Sequence, residues 1–404
     1  MSGAIVSRVQ RTAGLPVVTL RLWWRAGALI ETQPGLALVT GRMLAEGSRR
    51  RSWDRLAAEL ESRGMSLVAT ASHDLLGVGL DALAGDWREA LDLLAEVALE
   101  PSFPTSRLAW IRRQVSAELD GLLDPPDARA RLAFLRRLYG THPYARPPHG
   151  DAESLRRIES EQCRLHHART LDTPGCLAVV GEIEVEAVEK AIRERFGAFT
   201  DSSSADSRSG PPLEASGEEP SDLVVGGEQS HLFLGHPTVE RSHPDRPALE
   251  LAGVILGAGA GIAGRLPTRV REVEGLAYSV GVATTSVAGL APGHLMLYVG
   301  TSPERVEQAE RSVRDELERF VASPIDPEEL ESARAYLLGR EPFRRETVRQ
   351  QADRLAEAEL YGLAADGGDW LADRVRRLSA AEIERAVRRW LRPDALEVVV
   401  GRPR

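Results

Sequence analysis

The stretch DALAGDWREALDLLAEV at residues 81–97 has a counterpart in LYVGTSPERVEQAERSV at residues 297–313. Each stretch precedes a long helical pattern that ends in Leu-Tyr-Gly, at Tyr139 in the first half and at Tyr361 in the second. The two tyrosines are 222 positions apart, which is close to the offset between the stretches before them. A nearly constant offset indicates that the chain arose by duplication of one ancestral domain.

The composition changes sharply between these halves. Residues 200–221 read TDSSSADSRSGPPLEASGEEPS and contain almost no large apolar side chain. A segment of this kind cannot bury enough apolar surface to offset its ordering entropy. We therefore expect an exposed linker at 200–221, an N-terminal domain at 1–199 and a C-terminal domain at 222–404.

Both halves show the same order of local patterns. Each opens with a strand pattern, continues with a helical pattern and a hairpin of period two, and then has longer helices before a last strand. The opening strands are VVTLRLWW at 17–24 and DLVVGGEQSHLFLGH at 222–236, and the hairpins lie at 66–83 and 276–300. In the helix expected at 106–122, the apolar stripe is Leu108, Ile111, Val115 and Leu122. The fold class predicted is α+β, with two duplicated domains, each an antiparallel sheet with helices packed on one face.

Composition excludes several classes of protein. The 404 residues carry a formal net charge of −9, which does not favour binding to nucleic acid or to an anionic membrane. No apolar run has the ~20 residues that a membrane span needs, and the first residues lack the pattern of a signal peptide. Cys163 and Cys176 are too few for a disulfide framework. A cytoplasmic protein is expected.

Three passages of the chain resemble the pitrilysin/insulinase family of zinc peptidases, particularly the small bacterial members that are similar to mitochondrial processing peptidase subunits. They are GLALVTGRMLAEGS at 35–48, LYGTHPYARPPHG at 138–150, and RLPTRVREVEGLAYSV at 265–280 followed by YVGTSPE at 298–304. The resemblance covers nearly the whole chain. It implies two pseudo-duplicated α+β domains, in agreement with the internal repeat.

The resemblance also identifies a departure from the family pattern. Active members carry H-x-x-E-H on the first helix, where two histidines one turn apart bind zinc and the glutamate activates water. In this chain those positions are Leu38, Gly41 and Arg42. None is a ligand or a base, and a permanently charged guanidinium would repel Zn²⁺. The resemblance therefore implies a degenerate zinc motif and no metal in this chain.

A further family glutamate, about seventy-five residues downstream, corresponds to Glu118 in QVSAEL at 114–119. Two interpretations of Glu118 stay open. It forms a charge-assisted bond with Arg42, or it is a solvated residue on the helix surface. None of the nine histidines offers an alternative H-x-x-x-H pair, and His166 and His167 are adjacent, so that they point in different directions on a helix.

The second half keeps a different part of the family pattern, because Arg271 precedes Tyr278 by seven residues in REVEGLAY. The resemblance implies that, in active members, this arginine and tyrosine reach a zinc site. There they bind the substrate backbone and stabilise the developing oxyanion. The alternative is a surface arginine and a core tyrosine. Arg269 is a rival for the arginine role. The glycine-rich GAGAGIAG at 257–264 is interpreted as a turn between helices and not as a phosphate loop, because no Lys-Ser/Thr follows it.

Two functions from different classes remain. In the first, this chain is the non-zinc subunit of a heterodimeric peptidase: a paralogous partner supplies zinc and the general base, and peptide substrate adds to an edge strand at Val68, Ala69, Thr70 and Ala71. In the second, it is an inactive scaffold or peptide-binding homologue that homodimerises. A metal-free hydrolase is disfavoured, because Asp124 and Asp127 flank a Pro-Pro helix break and do not form a catalytic pair.

Overall fold

The computed structural model describes residues 5–197, 221–259, 264–363 and 370–404. Within these ranges, ten strands form two five-stranded sheets. The strands are β1 (Ile5–Arg11), β2 (Val17–Trp24), β3 (Ser66–Ala71), β4 (Leu76–Leu83), β5 (Gly175–Gly181), β6 (Asp222–Val224), β7 (Ser230–Pro237), β8 (Ser279–Ser286), β9 (His294–Thr301) and β10 (Glu397–Arg402).

Helices surround both sheets. In the first half they are α1 (Leu36–Met43), α2 (Trp53–Ser62), α3 (Trp87–Leu99), α4 (Thr105–Leu123), α5 (Pro126–Tyr139), α6 (Ala152–Arg157), α7 (Ser160–Thr170) and α8 (Val185–Phe196). In the second half they are α9 (Arg246–Leu256), α10 (Arg265–Pro267), α11 (Val306–Ala322), α12 (Pro327–Arg340), α13 (Val348–Leu360), α14 (Trp370–Arg377) and α15 (Ala380–Trp390).

The two sheets share one connectivity. Their strand orders are β1-β5-β2-β4-β3 and β6-β10-β7-β9-β8, so each strand of the first corresponds to the strand five places later in the second. In each sheet, the strand that comes first along the chain pairs in parallel with the one that comes last, namely β1 with β5 and β6 with β10. The other pairs are antiparallel. The duplication and the α+β class predicted from the sequence are confirmed. The parallel edge pair is a detail that the sequence prediction, which had purely antiparallel sheets, did not include.

The chain forms two compact units whose residues are not consecutive. The first comprises Met1–Asp120, Pro147–Arg208 and Pro342–Gly368, and the second comprises Gly121–Arg146, Ser209–Glu341 and Asp369–Arg404. Helix α5 of the first half therefore belongs to the second unit, and α13 of the second half belongs to the first. The linker predicted at 200–221 lies almost entirely outside the described residues, and the division at 199 and 222 stays a prediction.

In the first unit, the sheet has an apolar face and a polar face. Leu20, Leu22, Val78 and Val179 project from the apolar face and are almost fully buried. Helices α3 and α8 pack against these strands. On the other face, α13 packs on β2 and β5, where Arg21 donates to Asp353 across 2.8 Å. Helices thus cover both faces, and not one face as predicted.

The second unit repeats this arrangement. Its main core joins Leu234 and Leu297 of the sheet to α9, α11 and α15. The opposite face of its sheet receives α5, and the rings of Phe134 and Phe233 stack there at 5.8 Å. A Cβ atom on Gly235 would lie 2.9 Å from the Phe134 ring, so the glycine lets the helix approach the strand closely.

Two sequence predictions of local structure were wrong in detail. The strand expected at 222–236 is divided into β6 and β7, because Gly226 and Gly227 adopt left-handed φ angles of +83° and +79° that interrupt an extended chain. In α4 the buried stripe continues to Leu119, whereas Leu122 lies in the last turn and is exposed. Strand β1 was not predicted at all.

Candidate functional site

Helix α1 carries the positions at which active relatives are expected to bind zinc. It packs against β3 and α7 in the first unit. Leu38 is buried, and Gly41 faces the β3 backbone. A Cβ atom on Gly41 would lie 2.7 Å from both the carbonyl carbon and the carbonyl oxygen of Thr70. Position 41 therefore has no room for a glutamate that could act as a base.

Arg42 pairs with Glu118 on α4. Its guanidinium donates from Nη2 to Oε2 of Glu118 across 3.0 Å, and both side chains are partly exposed. The sequence left two interpretations of Glu118 open, and the structure confirms the one in which it is bonded to Arg42. A charged arginine thus occupies the neighbourhood of the carboxylate that the resemblance assigns to a metal.

His149 joins this pair and was missed by sequence reasoning. Its Nε2 lies 3.5 Å from Oε2 of Glu118. Burial lowers the pKa of His149, Glu118 acts in the opposite direction, and Arg42 lowers it further. The imidazole is therefore neutral near pH 7. The only available signal was its position at the end of LYGTHPYARPPHG, at 138–150.

The residues at these positions do not fit a zinc ion. Leu38 has no donor atom, Gly41 has no space for a side chain, and Arg42 brings a permanent positive charge that is already bonded to Glu118. In the part of the chain that the structure describes, no group of three or more His, Cys, Asp or Glu residues is placed to hold a metal ion.

The adjacent histidines of α7, His166 and His167, are both buried. His166 Nε2 lies 3.2 Å from the carbonyl oxygen of Ala26, and His167 Nε2 lies 2.8 Å from that of Ala98. Burial lowers the pKa of His166 to about 4 and also lowers that of His167. Both imidazoles are neutral and serve to satisfy backbone carbonyl groups.

The residues expected to bind an extended peptide lie in β3, which is the edge strand of the first sheet. Val68 is 44% exposed, whereas Ala69 and Ala71 are buried and Thr70 is intermediate. One side of β3 pairs with β4, and its other side has no strand neighbour among the described residues. The strand therefore offers backbone groups at which another strand could add.

In the second unit, Arg271 lies in a π-helical turn, Thr268–Val273, that directly follows α10. Single π turns of this kind are frequent at functional sites. Arg271 Nη2 contacts the carboxylate of Glu272 at 3.4 Å. The helix end expected from the sequence is thus present, in an unusual geometry.

Tyr278 stands immediately before β8, after a left-handed turn at Gly275. Its backbone N–H donates to the carbonyl oxygen of Gly300 across 2.9 Å. Tyr278 is 71% exposed, so it is not the core residue that the alternative interpretation required.

Arg269, the rival arginine, is engaged by three carboxylates. It donates to Glu274 at 2.9 Å, to Asp315 at 3.3 Å and to Glu316 at 3.3 Å. The hydrogen bond with Glu274 raises the pKa of Arg269, against a smaller opposing effect of burial. These bonds tie the π-helical turn to α11, which is a structural role.

The glycine-rich stretch 257–264 connects α9 and α10, as predicted, although residues 260–263 lie outside the described residues. A Cβ atom on Gly264 would lie 2.5 Å from the Cα atom of Gly257, and both residues have positive φ angles. Close approach of the backbone to itself explains why glycine is needed at these two positions.

No helix in the described ranges is both long enough and apolar enough to cross a membrane.

Comparison with known families finds two matching models. One, described as "Insulinase (Peptidase family M16)", matches residues 8–151. The other, described as "Peptidase M16 inactive domain", matches residues 176–337. Together they span most of the chain, with one model on each of its halves.

Individual relatives are similar over nearly the whole length. The chain is 25% identical to the "Non-peptidase homolog YmxG" of Helicobacter pylori over 376 residues, covering 91% of this chain and 85% of that protein. It is 29% identical to an uncharacterized zinc protease of Mycobacterium tuberculosis over 364 residues, covering 87% and 81%. A crystal structure of a peptidase M16 inactive domain from Pseudomonas fluorescens matches with a TM-score of 0.85 and 27% identity, covering 100% of this chain and 97% of that one.

Proposed function

The chain belongs to the insulinase (M16) family of peptidases, with a second half of the inactive-domain type, and on that premise we propose that it is the non-zinc subunit of a two-chain peptidase. In this proposal it contributes Arg271 and Tyr278 to an active site whose zinc ion and general base belong to a paralogous partner. Alone, the chain does not cleave peptides.

The observation that carries the proposal is the exposure of Tyr278. An aromatic ring of this size contributes most to stability when it is buried, and exposed large aromatic residues are typical of contact surfaces. Tyr278 is 71% exposed, although its backbone N–H is bonded to the carbonyl oxygen of Gly300 at the start of a strand that pairs with β9. A tyrosine whose backbone is fixed by a hydrogen bond and whose side chain is exposed is suited to contact a ligand.

The chemistry of the pair matches the proposed role. The guanidinium of Arg271 supplies a permanent charge with several donors in fixed geometry, and the phenol of Tyr278 supplies one further donor. Donors of this kind, aimed at a carbonyl oxygen, stabilise the negative charge that develops there during attack on a peptide bond. Because Arg269 is occupied by three carboxylates, Arg271 is the arginine of this turn that we assign to the substrate.

The degenerate zinc motif is the reason for proposing a partner chain. Leu38, Gly41 and Arg42 cannot hold a metal, so the metal and the base would come from a paralogous chain with an intact H-x-x-E-H. The edge strand β3 would take an extended peptide substrate through its backbone, with Val68 as the exposed side chain beside it. A cytoplasmic location stays a prediction.

A second candidate function is an inactive scaffold or peptide-binding protein. Two similarities favour it: residues 176–337 match the inactive domain of peptidase family M16, and the similar H. pylori protein is named a non-peptidase homolog. In this case the chain would bind peptides, as a homodimer or in a larger assembly, without cleaving them.

One assay separates the two functions. Peptidase activity with zinc is measured on this chain alone, on the H-x-x-E-H paralogue alone, and on an equimolar mixture, with sizing chromatography in parallel. We expect activity in the mixture only, together with a heterodimer and no stoichiometric zinc in this chain by elemental analysis. If none of the three samples cleaves peptides and no complex forms, the scaffold function would be supported. One zinc ion per isolated chain would contradict the interpretation that Leu38, Gly41 and Arg42 form a degenerate zinc motif.

A further inference from the structure

Strand β8, which begins one residue after Tyr278, is an outer edge of the second sheet. It pairs with β9, and its other side has no strand neighbour among the described residues. Its sequence, SVGVATTS, contains no charged residue and no proline, and its register is interrupted only between Ala283 and Ser286. Exposed edges are normally blunted by charges, prolines or bulges. Residues 279–283 carry none of these devices.

The backbone groups that this edge offers follow from the alternation of the ladder, because successive residues of a strand direct N–H and C=O to opposite sides. In β10, Val400 donates its N–H towards the segment before β6 and therefore away from β7. Carried across β7 and β9 by the observed registers, this alternation directs Gly281 towards β9 and Val280 and Val282 outwards. No hydrogen bond from the described residues reaches the outward N–H and C=O groups of the two valines.

The same two valines fix the strand in place. The side chains of Val280 and Val282 belong to the apolar core of the second unit, and each residue is only 9% exposed. The outer backbone groups are therefore free while the strand itself is held by packing and by β9. An edge that is already ordered loses little conformational entropy when another strand adds to it.

Gly281 shapes the surface beside which an added strand would lie. A Cβ atom at this position would lie 3.6 Å from both the Cβ and the Cδ1 atoms of Tyr298 on β9, which is an ordinary contact, so packing within the chain does not require glycine. The Tyr298 ring is half-buried and lies 4.9 Å from the ring of Phe233. A glycine in a strand leaves the neighbouring ring uncovered, and an aromatic side chain on the next strand is the group that covers such a gap.

We propose that β8 binds an extended peptide by strand addition, with an aromatic side chain of the peptide opposite Gly281. The occupant follows from Tyr278, whose exposed side chain stands directly before the free edge, so that a peptide in contact with it continues along β8. The inference deepens the proposed function, on which the identification of this peptide as substrate rests. Neither the family resemblance nor the comparisons assign β8 a role.

Amide hydrogen exchange resolved to single residues tests the edge in the full chain. The probe is a peptide of about ten residues, composed of Val, Thr and Lys with one central Phe, which favours an extended backbone. We expect a saturating concentration of the probe to protect the amides of Val280 and Val282 ~10-fold or more. The amides of Gly281 and Ala283, which already face β9, should change little. Binding without protection of the two valines, or no binding, would contradict the proposal.

Proline substitution tests the outward donor. Val282→Pro removes an outward N–H and no ladder bond, and we expect it to weaken binding of the probe ~10-fold, the effect of one lost hydrogen bond. Val282→Ala is the matched control, because it removes apolar packing and keeps the N–H, and it should bind as the wild-type chain does. Equal affinity of these two variants would overturn the proposal. Loss of binding in Ala69→Pro, on the edge strand β3, but not in Val282→Pro would place the probe on the first sheet instead.

The aromatic preference has its own test. Replacing the central Phe of the probe with Ala should weaken binding to the wild-type chain ~5-fold or more. In Gly281→Ala, whose added methyl group covers Tyr298 without a clash, this preference should fall below about twofold. An equal preference in both chains would show that the aromatic side chain is not opposite Gly281.

These outcomes are separable from those of the peptidase assay. If the probe binds β8 as expected and the reconstituted pair is inactive, the proposed function alone is wrong. If the pair cleaves peptides while the amides of Val280 and Val282 stay unprotected by the probe, the strand-addition site alone is wrong.

Discussion

The hydroxyl of Tyr361 donates to Oδ2 of Asp74 across 2.9 Å, and both residues are buried. Its counterpart in the internal repeat, Tyr139, donates to the carbonyl oxygen of Pro292 at 3.1 Å and lies 2.9 Å from Nδ1 of His294. Tyr139 is the last residue of α5, and Tyr361 directly follows α13; each of these helices covers a sheet formed by the other half of the sequence. The repeated Leu-Tyr-Gly is therefore an anchor that fastens each helix to the hairpin of its sheet.

The first prediction concerns this anchor. Tyr361→Phe should lower the free energy of unfolding by ~1–3 kcal/mol, because the buried carboxylate of Asp74 loses a donor that water cannot readily replace. Urea denaturation followed by circular dichroism measures the effect. Tyr336→Phe, at a partly exposed tyrosine, should change stability by less than about 0.5 kcal/mol. Equal effects of the two variants would contradict the anchoring role.

The second prediction concerns two glycines within helices. Gly41→Ala should destabilise the protein by ~1–3 kcal/mol, because its Cβ atom would collide with the Thr70 carbonyl group. Gly121→Ala, on α4, should stabilise it by roughly 0.5–1 kcal/mol, since nothing lies within 4 Å of that Cβ atom and alanine favours helix.

Thermal and chemical denaturation of both variants check these opposite signs. Stabilisation by Gly41→Ala would mean that α1 can move away from β3, and the space at the zinc-motif position would then be available to a larger side chain.

The third prediction concerns acid. Burial lowers the pKa of His294 to about 3 and that of His166 to about 4. Below pH ~6.5 the unfolded chain binds protons at these residues that the folded chain does not, so stability falls as pH falls from about 6.5 towards 3. Each histidine contributes a slope of up to about 1.4 kcal/mol per pH unit in that interval.

Urea titrations at pH 7, 6, 5 and 4 measure this slope. His294→Asn, which removes the titrating group and keeps an acceptor near Tyr139, should give a shallower dependence on pH than the wild-type chain. The same slope in both proteins would show that His294 does not contribute.

The fourth prediction concerns α13. Its interface with the first sheet is edged by ion pairs of Arg8 with Glu359, Arg21 with Asp353 and Arg349 with Asp81. The apolar centre is small and consists of Val180, Val348 and Ala352. Salt screens the exposed members of such pairs.

In hydrogen exchange, the amides of α13 should therefore lose protection in 1 M NaCl more than those of α5, whose interface has the stacked Phe134 and Phe233 rings. Asp353→Asn should produce part of the same loss at low salt. Protection of α13 that does not change with salt would assign its docking to the apolar centre alone.

The fifth prediction addresses the proposed peptidase. Arg271→Ala or Tyr278→Phe should lower kcat of the reconstituted pair by ~100–1000-fold, the range found when one oxyanion donor is removed. Arg269→Ala is the informative comparison. It should mainly reduce stability, because three carboxylates lose their partner. Unchanged turnover in the first two variants would leave Arg271 and Tyr278 as structural residues.

Local patterns in the sequence predicted much of this molecule. The period of two in VVTLRLWW gave β2 with its observed bounds, and the offset between Tyr139 and Tyr361 gave the duplication. The ion pair of Arg42 and Glu118 was one of two open interpretations, since spacing alone does not determine which side chains meet across helices.

Other features depend on contacts between distant residues, and no local pattern carries them. The placement of α13 on the first sheet depends on partners such as Arg21 and Asp353, more than 300 positions apart. His149 approaches Glu118 only because two distant segments converge. Whether Tyr278 is exposed is decided by how the backbone turns at Gly275, which the spacing of seven from Arg271 does not reveal.

The exchange of α5 and α13 has a consequence for the gene. A break anywhere between codons 199 and 222 would yield two polypeptides, each lacking the helix that covers one face of its own sheet and each carrying a helix that fits the other's sheet. The two ancestral copies have thus become mutually dependent, because each supplies a helix that covers the sheet of the other.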